Sequence, residues 1–378
     1  MVLLLRFAYV CIQLRIILKS FVSQLFIHII VPVAIFGFIA LFTLFAVYAE
    51  RKIAGFVQDR LGPMETGKYG LLQTIADILK LLQKEFITPK AADRILFAAA
   101  PVIIFGAVYI GYAVIPWAPD FLPANTHTGL FFIMAVVSID AIGILMAGWG
   151  SNNKYSLLGS IRAIAQMVSY EIPVGLSLIA AVMITQTLNF NEIALQQGVM
   201  SPEPVFFLGI WDVSNVGGFL AWNIFQAPHL IVVYVIFFIA SLAECNRAPF
   251  DIPEAESELI GGFHTEYGGI RFAFIFLAEY AMMFLVAILG VVLFLGGWNT
   301  LLPNIGALKL ADWTTGIGWG IFWTLLKSLT IVGVQIWIRW TLPRFRADQL
   351  MSLCWKVMIP LGFVCMAISG LWRILVMV

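Results

Sequence analysis

Runs of about 20 apolar residues recur along the chain, and no other feature limits the fold as strongly. A helix of about 20 residues is long enough to cross a hydrocarbon core of roughly 30 Å. Because lipid offers no hydrogen-bond partners to the backbone, each crossing run is expected to be helical. The runs cover approximately 26–48, 95–116, 128–149, 158–185, 229–245, 267–297, 316–340 and 354–377. The sequence therefore predicts an all-α integral membrane protein, a bundle of about eight transmembrane helices.

Composition agrees with a membrane protein, because 61% of the 378 residues are hydrophobic and only 11% are charged. We expect one polytopic membrane domain over residues 26–378, preceded by an N-terminal segment, 1–25. The apolar stretch LLLRFAYV in that segment is too short for a secretory signal. Residues 1–25 are therefore expected to form an interfacial segment at the membrane surface.

Lysine and arginine predict the orientation of the bundle, because they accumulate on the cytoplasmic side of membrane proteins. Alternate connections between the runs hold 16 of the 22 basic residues. The opposite connections, near 117–127, 186–228 and 298–315, contain only Lys309. Both termini are therefore expected outside, and the segment 242–269 inside.

The first inner connection carries a pattern typical of an amphipathic surface helix. Its apolar residues recur at helical spacing, at Leu71, Ile75, Ile78, Leu79, Leu82 and Phe86. Its polar residues occupy the other side, at Gln73, Asp77, Lys80 and Lys84. We expect a helix that lies in the membrane surface, and the alternative is a merely anchored loop.

Carboxylates are concentrated where an apolar chain would not be expected to place them. The segment LAECNRAPFDIPEAESELIGGFHTEYGG, 242–269, holds six acids and one arginine, Arg247. Three further acids lie inside apolar runs, where a carboxylate is costly unless it is protonated, paired or hydrated. Chains of such groups with intervening water conduct protons. The candidate proton path comprises Asp140, Glu171, Glu244, Asp251, Glu254, Glu256, Glu258, Glu266 and Glu279.

Two structural alternatives stay open for these acids. Glu171 could be an inert partner of Arg162, and the acidic segment could be a solvated loop. Neighbouring carboxylates raise one another's pKa, so a crowded set would titrate together. The alternation of Glu254, Glu256 and Glu258 fits one side of an extended backbone, whereas a helix would align only Glu254 with Glu258.

Metal and nucleotide sites are not predicted for this chain. Its cysteines, Cys11, Cys245, Cys354 and Cys365, show no C-x₂-C spacing, so neither an iron–sulfur cluster nor zinc is expected. His28, His127 and His229 do not form pairs at matched depth within the membrane, so no haem is expected. The phosphate-binding pattern G-x-x-x-x-G-K-[ST] is absent, and no nucleic-acid partner is expected.

Six long motifs give the chain a resemblance to a known family. They are AERKIAGFVQDRLGP, IADILKLLQKE, GWGSNNKYSLLGSIRAIAQMVSYE, the acidic segment quoted above, FLAEY and WIRWTLPRFRADQLMSLCWKVMIP. In this order and spacing they resemble the H-subunit family of respiratory complex I, the proton-pumping NADH:quinone oxidoreductase. The chain departs from the family at Met64, where asparagine is usual, and the first two dozen residues match no family motif.

This resemblance implies a function that composition does not. Members form much of a quinone chamber between the membrane arm and the hydrophilic arm, and they begin a carboxylate path for protons. Implied partners are quinone (ubiquinone or menaquinone), the hydrophilic-arm iron–sulfur and quinone-site subunits, the antiporter-like membrane subunits and the lipid bilayer. The chain itself would carry no redox centre or catalytic residue of its own. The implied location is a bacterial or mitochondrial inner membrane.

The resemblance also implies which residues contact quinone: Glu50, Arg51, Arg60, Phe250, Asp251, Arg339 and Arg344. Arginine suits a polar headgroup because its guanidinium stays charged and offers several donors. Two other functions remain open. One is the membrane anchor of a related ion-pumping hydrogenase or ferredoxin-linked complex. The other is a stand-alone cation/proton antiporter, which would transport ions as an isolated chain.

Overall fold

The computed structural model of the protein describes residues 2–119, 121–199, 201–202, 204–209, 211–253, 256–304 and 308–376. Side chains are described from Ile29 onward, apart from those at 256, 257 and 376. The described helices are α1 (Val2–Val57), α2 (Gln73–Gln83), α3 (Arg94–Gly111), α4 (Gly129–Gly150), α5 (Lys154–Thr185), α6 (Phe190–Leu195), α7 (Asn223–Gln226), α8 (His229–Glu244), α9 (Glu256–Leu259), α10 (Gly269–Phe294), α11 (Leu310–Trp313), α12 (Ile317–Thr341), α13 (Ala347–Leu353) and α14 (Ile359–Val376). Strands β1 (Phe206–Phe207) and β2 (Trp211–Asp212) form one short antiparallel pair.

The long helices confirm the predicted all-α membrane fold. Within the described residues, seven helical stretches are long and apolar enough to cross a membrane. A π-helical turn, Cys354–Met358, joins α13 and α14 into one of them. The remaining apolar run is α8, whose 16 residues extend about 24 Å. α8 is therefore shorter than a hydrocarbon core of roughly 30 Å.

The chain divides into two compact units, Met1–Phe42 and Thr43–Val378. The first unit is helical from Val2 and belongs entirely to α1, with Pro32 inside the helix. The second unit contains the rest of α1 and all the other elements. The prediction that residues 1–25 form an interfacial segment stays a prediction.

Helix α10 is the core of the second unit. All residues from Tyr280 to Phe294 are buried, as expected for a helix that is apolar on every side. The Tyr112 hydroxyl of α3 donates a 2.6 Å hydrogen bond to the Ala281 carbonyl. At the far end, Lys327 of α12 donates to the carbonyls of Leu295 and Asn299, at 2.7 and 2.8 Å. These contacts fix the helix that carries Glu279 and Tyr280.

Connections predicted to share a side of the membrane meet at one end of the bundle. The Asp93 amide donates to the Gly150 carbonyl at 3.0 Å, and the Phe345 amide donates to Pro249 at 3.0 Å. The Asn153 side chain donates to Glu266 at 2.6 Å. At the other end, the Asn189 side chain contacts Asn125, and the Thr324 hydroxyl contacts the Trp117 carbonyl. The contacts therefore alternate between ends as the charge pattern predicts.

Proline in α5 produces a contact with the last span. Pro173 has no amide proton, so it offers no hydrogen bond to the carbonyl of Ser169 four residues earlier. The Cys354 thiol donates to that carbonyl at 3.1 Å. Cys354 begins the π-helical turn, which interrupts the regular α-helix at this contact.

The first inner connection contains the amphipathic helix that the sequence predicts. α2 spans Gln73–Gln83 and presents Ile75, Ile78, Leu79 and Leu82 on its exposed surface. On its polar side, Asp77 accepts hydrogen bonds from Arg51 and Gln73. The segment is therefore helical rather than a loop, with an exposed apolar face typical of contact with lipid or a partner.

Candidate functional site

The acidic segment begins with a turn that directs Arg247 into the bundle. α8 ends at Glu244, and Asn246 adopts a left-handed conformation with φ of 51°. Asparagine tolerates this conformation, which commonly ends helices. The side chain of Gln166, on α5, donates to the carbonyls of Ala243 and Phe250, both at 2.7 Å. α5 therefore holds both sides of the turn.

Arg247 is the centre of a buried ion-pair network. Only 2% of its side chain is exposed. Its Nη1 lies 3.0 Å from Glu50 Oε2, and its Nε lies 3.2 Å from Glu279 Oε1. The guanidinium carbon lies 4.0 Å from the centre of the Tyr280 ring. Burial acts to lower the pKa of Arg247, but the facing Glu279, Tyr280 and Glu50 raise it well above its ordinary value.

Glu50 receives donors from three different elements. Besides Arg247, Arg339 of α12 donates to Oε1 at 2.5 Å, and the Tyr280 hydroxyl donates to Oε2 at 2.6 Å. The residue is 5% exposed. A buried carboxylate with two arginines and a hydroxyl has the partners that its charge requires. Glu50 therefore joins α1, α10, α12 and the acidic segment.

A cleft of about 600 Å³ lies beside Glu50. Its volume falls in the range of about 300–1,000 Å³ that is usual for small-molecule sites. Four of the seven predicted quinone contacts, Glu50, Arg51, Arg60 and Arg339, line this cleft. The rest of its wall is mainly apolar or aromatic: Val47, Ala54, Leu61, Gly62, Pro63, Phe276, Tyr280 and Trp340.

The other three predicted contacts form a neighbouring group that does not line the cleft. Arg344 Nη2 lies 2.6 Å from Asp251 Oδ2. The Phe250 ring stacks on Phe345, with centroids 5.6 Å apart. Burial raises the pKa of Asp251, and the Arg344 guanidinium opposes that shift. These residues belong to the acidic segment and to the connection after α12.

Three embedded acids share a small cavity behind the ion-pair network. Asp140, Glu244 and Glu279 line a volume of about 40 Å³, together with Asn246. A volume of at least about 10–15 Å³ is needed for one water, so this cavity has room for a few. Asp140 Oδ1 is buried and has no hydrogen-bond partner among the described groups. The cavity is therefore polar enough and large enough to hold water beside the carboxylates.

Glu171 lies within electrostatic range of this group. The Glu244 carboxylate is close enough to those of Glu171 and Asp140 for their like charges to repel. The Ser138 hydroxyl of α4 donates to the Glu171 carboxylate. Arg162 instead pairs with Glu258, at 2.7 Å. The structure therefore does not support Glu171 as the partner of Arg162.

The other acids of the segment occupy different surroundings. Glu258 is exposed, and the hydrogen bond from Arg162 lowers its pKa. Glu266 accepts from Asn153. Glu254 lies outside the described residues. Glu256 is the first residue of α9, so residues 256–259 are helical. The side chain of Glu256 is not described. The placed acids of the segment therefore have different surroundings: Glu244 and Asp251 are buried, Glu266 is half-buried and Glu258 is exposed.

No metal centre is evident in the described part of the chain, where no three His, Cys, Asp or Glu side chains are grouped to hold an ion. The expectation that the chain binds no metal or haem stays a prediction. The side chains of this site can bind polar or charged groups and can exchange protons. Arginines face a cleft on one side, and carboxylates face a water-sized cavity on the other.

Comparison with known proteins identifies the family. The family model described as NADH dehydrogenase matches residues 30–370. This chain belongs to the NADH dehydrogenase family. A relative from Cytophaga hutchinsonii, named as a second H subunit of NADH-quinone oxidoreductase, is 57% identical over 350 residues, which cover 88% of this chain and 96% of that protein. The H subunit of NADH-quinone oxidoreductase from Chlorobium luteolum is 52% identical, covering 90% and 87%, and the protein of the same name from Bacillus cytotoxicus is 45% identical, covering 89% and 90%.

Two central residues of this NADH dehydrogenase family member were absent from the predicted sites. Arg247 holds Glu50 and Glu279, and Tyr280 hydrogen-bonds Glu50. A signal for Arg247 was present, because it is the only arginine among six acids in 242–269. Tyr280 follows an embedded acid, but nothing in its local sequence indicates a partner 230 residues away.

Proposed function

We propose that this chain is the H subunit of an NADH-quinone oxidoreductase, a membrane subunit of complex I, and that it forms the quinone chamber and the start of the proton path. The observation that carries the proposal is one connected set of charges. Arg339 and Glu50 line the cleft, Arg247 joins Glu50 to Glu279, and Glu279 lines the cavity of Asp140 and Glu244. The reported relatives carry the corresponding name, and none is named as a hydrogenase or an antiporter.

The cleft supports the binding of an amphipathic quinone. Phe276, Trp340 and Val47 offer apolar walls to an isoprenoid tail. Arg60 and Arg339 offer guanidinium donors to the oxygens of the headgroup. Electrons would come from an iron–sulfur centre of a neighbouring subunit, as the resemblance to the complex I family implies. The chain thus contributes to the enzyme as a binding and coupling subunit.

Charge links the two cavities in this proposal. When quinone is reduced, negative charge develops in the cleft and attracts Arg339 and Arg247, the two cations that hold Glu50. A carboxylate whose cation partner moves away takes up a proton more readily. Glu279 is the carboxylate that Arg247 would leave. The proposed route for the proton runs from Glu279 across the water-sized cavity to Glu244 or Asp140 and onward to Glu171.

The remaining members of the predicted path have supporting roles in this scheme. Asp251 and Arg344 hold the acidic segment beside the cleft. Glu258 and Glu266 attach it to α5 and its preceding turn, whereas Glu254 and Glu256 stay candidates from sequence alone. The bacterial sources of the reported relatives support a location in a bacterial inner membrane. The partners would be the hydrophilic-arm quinone-site subunits and the antiporter-like membrane subunits.

The test is to replace Glu244 with Gln in the complete complex reconstituted in liposomes. Glutamine keeps the shape of the side chain but removes its exchangeable proton, so we expect quinone reduction and proton pumping to fall together, by roughly 10²-fold or more. Reduction of an artificial acceptor at the hydrophilic arm should stay normal. The matched control is Glu192→Gln in α6, at the opposite end of the bundle.

Wild-type quinone reduction with an unchanged ratio of protons to electrons would contradict an obligatory role for Glu244. The same preparations separate the other functions. A stand-alone antiporter would transport ions as the purified chain, without electron donor. A hydrogenase anchor would copurify with a hydrogen-oxidising module, and NADH would not reduce quinone.

A further inference from the structure

A turn that follows α1, residues 59–63, forms one wall of the Glu50 cleft. All the residues that form and hold this turn lie in the second compact unit. The position of an arginine in the cleft depends on the turn, because Arg60 belongs to it. The members of the turn that line the cleft are Arg60, Leu61, Gly62 and Pro63.

Arg60 differs from the other two arginines that line the cleft. Arg51 pairs with Asp77, and Arg339 pairs with Glu50. Among the described residues, no carboxylate pairs with the Arg60 guanidinium, and the side chain is exposed. The donors of Arg60 are therefore available to the oxygen atoms of a bound ligand.

The backbone of the turn folds back onto the end of α1. The amides of Asp59 and Arg60 donate to the carbonyls of Phe56 and Gly55, at 3.2 and 2.8 Å. Asp59 is left-handed, with φ of 52°, so these two bonds form a Schellman helix end. A methyl carbon at Gly55 would come within 2.9 Å of the Arg60 carbonyl oxygen and of the Gly62 amide nitrogen. The turn therefore lies directly against the helix.

The side chain of Lys52 holds the far end of the turn. Its ammonium donates to the Pro63 carbonyl at 2.8 Å and to the Met64 sulfur at 3.3 Å. Hydrogen bonds from a charged donor are stronger than those between neutral groups. Met64 is also the position at which the chain departs from the family motif. Within the described part of the chain, Lys52 supports the wall of the cleft without lining it.

We propose that Lys52 is a positioning residue for quinone: its ammonium holds the turn 59–63 against α1, so that Arg60 presents its guanidinium to the cleft. This proposal rests on the proposed function, in which the ligand of the cleft is quinone. Lys52 acts through Arg60 and does not contact the quinone. Arg60 binds the headgroup before and during its reduction, so its displacement weakens binding more than it slows the chemical step.

The kinetic test is a double-variant cycle in the complete complex. Lys52→Met keeps an unbranched side chain but removes the donors, so we expect it to raise the KM for a short-chain quinone roughly tenfold. The kcat should change by less than about twofold. Arg60→Gln should raise KM at least as much, and adding Lys52→Met to it should raise KM no further. The control Lys80→Met removes an exposed lysine of α2 and should keep the wild-type KM.

A second measurement examines the turn without quinone. Hydrogen–deuterium exchange of the amides at 58–62 should become severalfold faster in the Lys52→Met complex and should stay unchanged in Lys80→Met. Gly55→Ala should also speed this exchange, because its methyl group would meet backbone atoms of the turn. Gly333→Ala in α12 is its control, because no described atom lies within 4 Å of the added methyl carbon.

Two results would overturn the proposal and leave the proposed function intact. Additive effects of Lys52→Met and Arg60→Gln on KM would show that Lys52 does not act through Arg60. An unchanged exchange rate in Lys52→Met would show that its ammonium does not hold the turn. A wild-type quinone KM in the Arg60→Gln complex would instead contradict both this proposal and the quinone cleft of the proposed function.

Discussion

At the scale of single residues, Arg247 determines how the buried charges of the site are balanced. It lies between Glu50 and Glu279, and Glu50 has a second cation in Arg339. Removal of Arg247 would therefore leave the Glu279 carboxylate without the cation that pairs with it in the structure, whereas Glu50 would keep Arg339. An uncompensated buried charge is far more costly than a buried pair replaced as a unit.

We expect Arg247→Gln to destabilise the subunit by about 3–5 kcal/mol, the usual cost of removing one partner of a buried ion pair. A large drop in the melting temperature and yield of the assembled complex would be the measurement. The double variant Arg247→Gln, Glu279→Gln should be more stable than Arg247→Gln alone, because it removes the unpaired charge as well. Arg94→Gln, an exposed arginine at the start of α3, serves as control and should change stability by less than about 0.5 kcal/mol. If the stability changes caused by Arg247→Gln alone and Glu279→Gln alone add up to that of the double variant, the two side chains are not coupled.

At the scale of elements, α5 positions the acidic segment. Ser156 donates to the Phe263 carbonyl at 2.9 Å, and Gln166 binds both sides of the turn after α8. Between them, Gly159 lies against the backbone of Gly262, where an added methyl carbon would come within 2.9 Å of Gly262 Cα. The helix and the segment therefore approach too closely for any side chain at position 159.

Gly159→Ala should push the acidic segment away from α5 and cost about 1–3 kcal/mol, the usual cost of overpacking. Gly175→Ala in the same helix is the matched control, because its methyl group would meet only the flexible Met134 side chain, at 3.6 Å. That substitution should be neutral or slightly stabilising, since alanine favours a helix by about 0.5–1 kcal/mol over glycine. Melting temperatures of the two variant complexes, with protease susceptibility at 245–268, provide the comparison. Equal behaviour of the two variants would show that the close approach is unimportant.

Helices could be predicted well because their signals are local. Most apolar runs coincide with the spans within a few residues, although the last span begins at Ala347 and not near 354. The stripe from Leu71 to Phe86 contains α2. The end of α1 was predicted less well: the run was expected to end near 48, but the helix continues to Val57. Its last turns carry Glu50 and Arg51, which lower the hydropathy of the sequence. Glu50 gains partners from α10, α12 and the acidic segment, and these contacts are not local in sequence.

At the scale of the whole molecule, several residues that the sequence assigned to one site lie together in the structure, whereas the pairing of the charges was not predicted. Four of seven predicted quinone contacts line one cleft, and three embedded acids line one cavity. Pairing could not be read from the sequence, because Arg247 is separated from Glu50 by 197 positions. The acids of 242–269 looked like one cluster, but the turn at Asn246 and the short helix α9 direct them to different surroundings.

The orientation of the bundle gives the last prediction. Single cysteines are introduced at Lys84, Lys154 and Arg346, which are exposed at the end that holds the acidic segment, and at His127 and Lys309, which are exposed at the other. Since 16 of the 22 basic residues lie in connections on the first side, that side should be cytoplasmic. An impermeant maleimide added to inside-out vesicles should label the first three positions, and the same reagent added to right-side-out vesicles should label the other two.

The native Cys245, Cys354 and Cys365 are buried, and replacing all four native cysteines with serine gives the matched background. Labelling of Lys84→Cys and His127→Cys from the same face would contradict the arrangement of spans, whereas a complete exchange of faces would keep the arrangement and reverse the orientation. Only the predicted pattern places the Glu50 cleft and the acidic segment on the cytoplasmic side, where the proposed function requires a hydrophilic arm that oxidises NADH to dock.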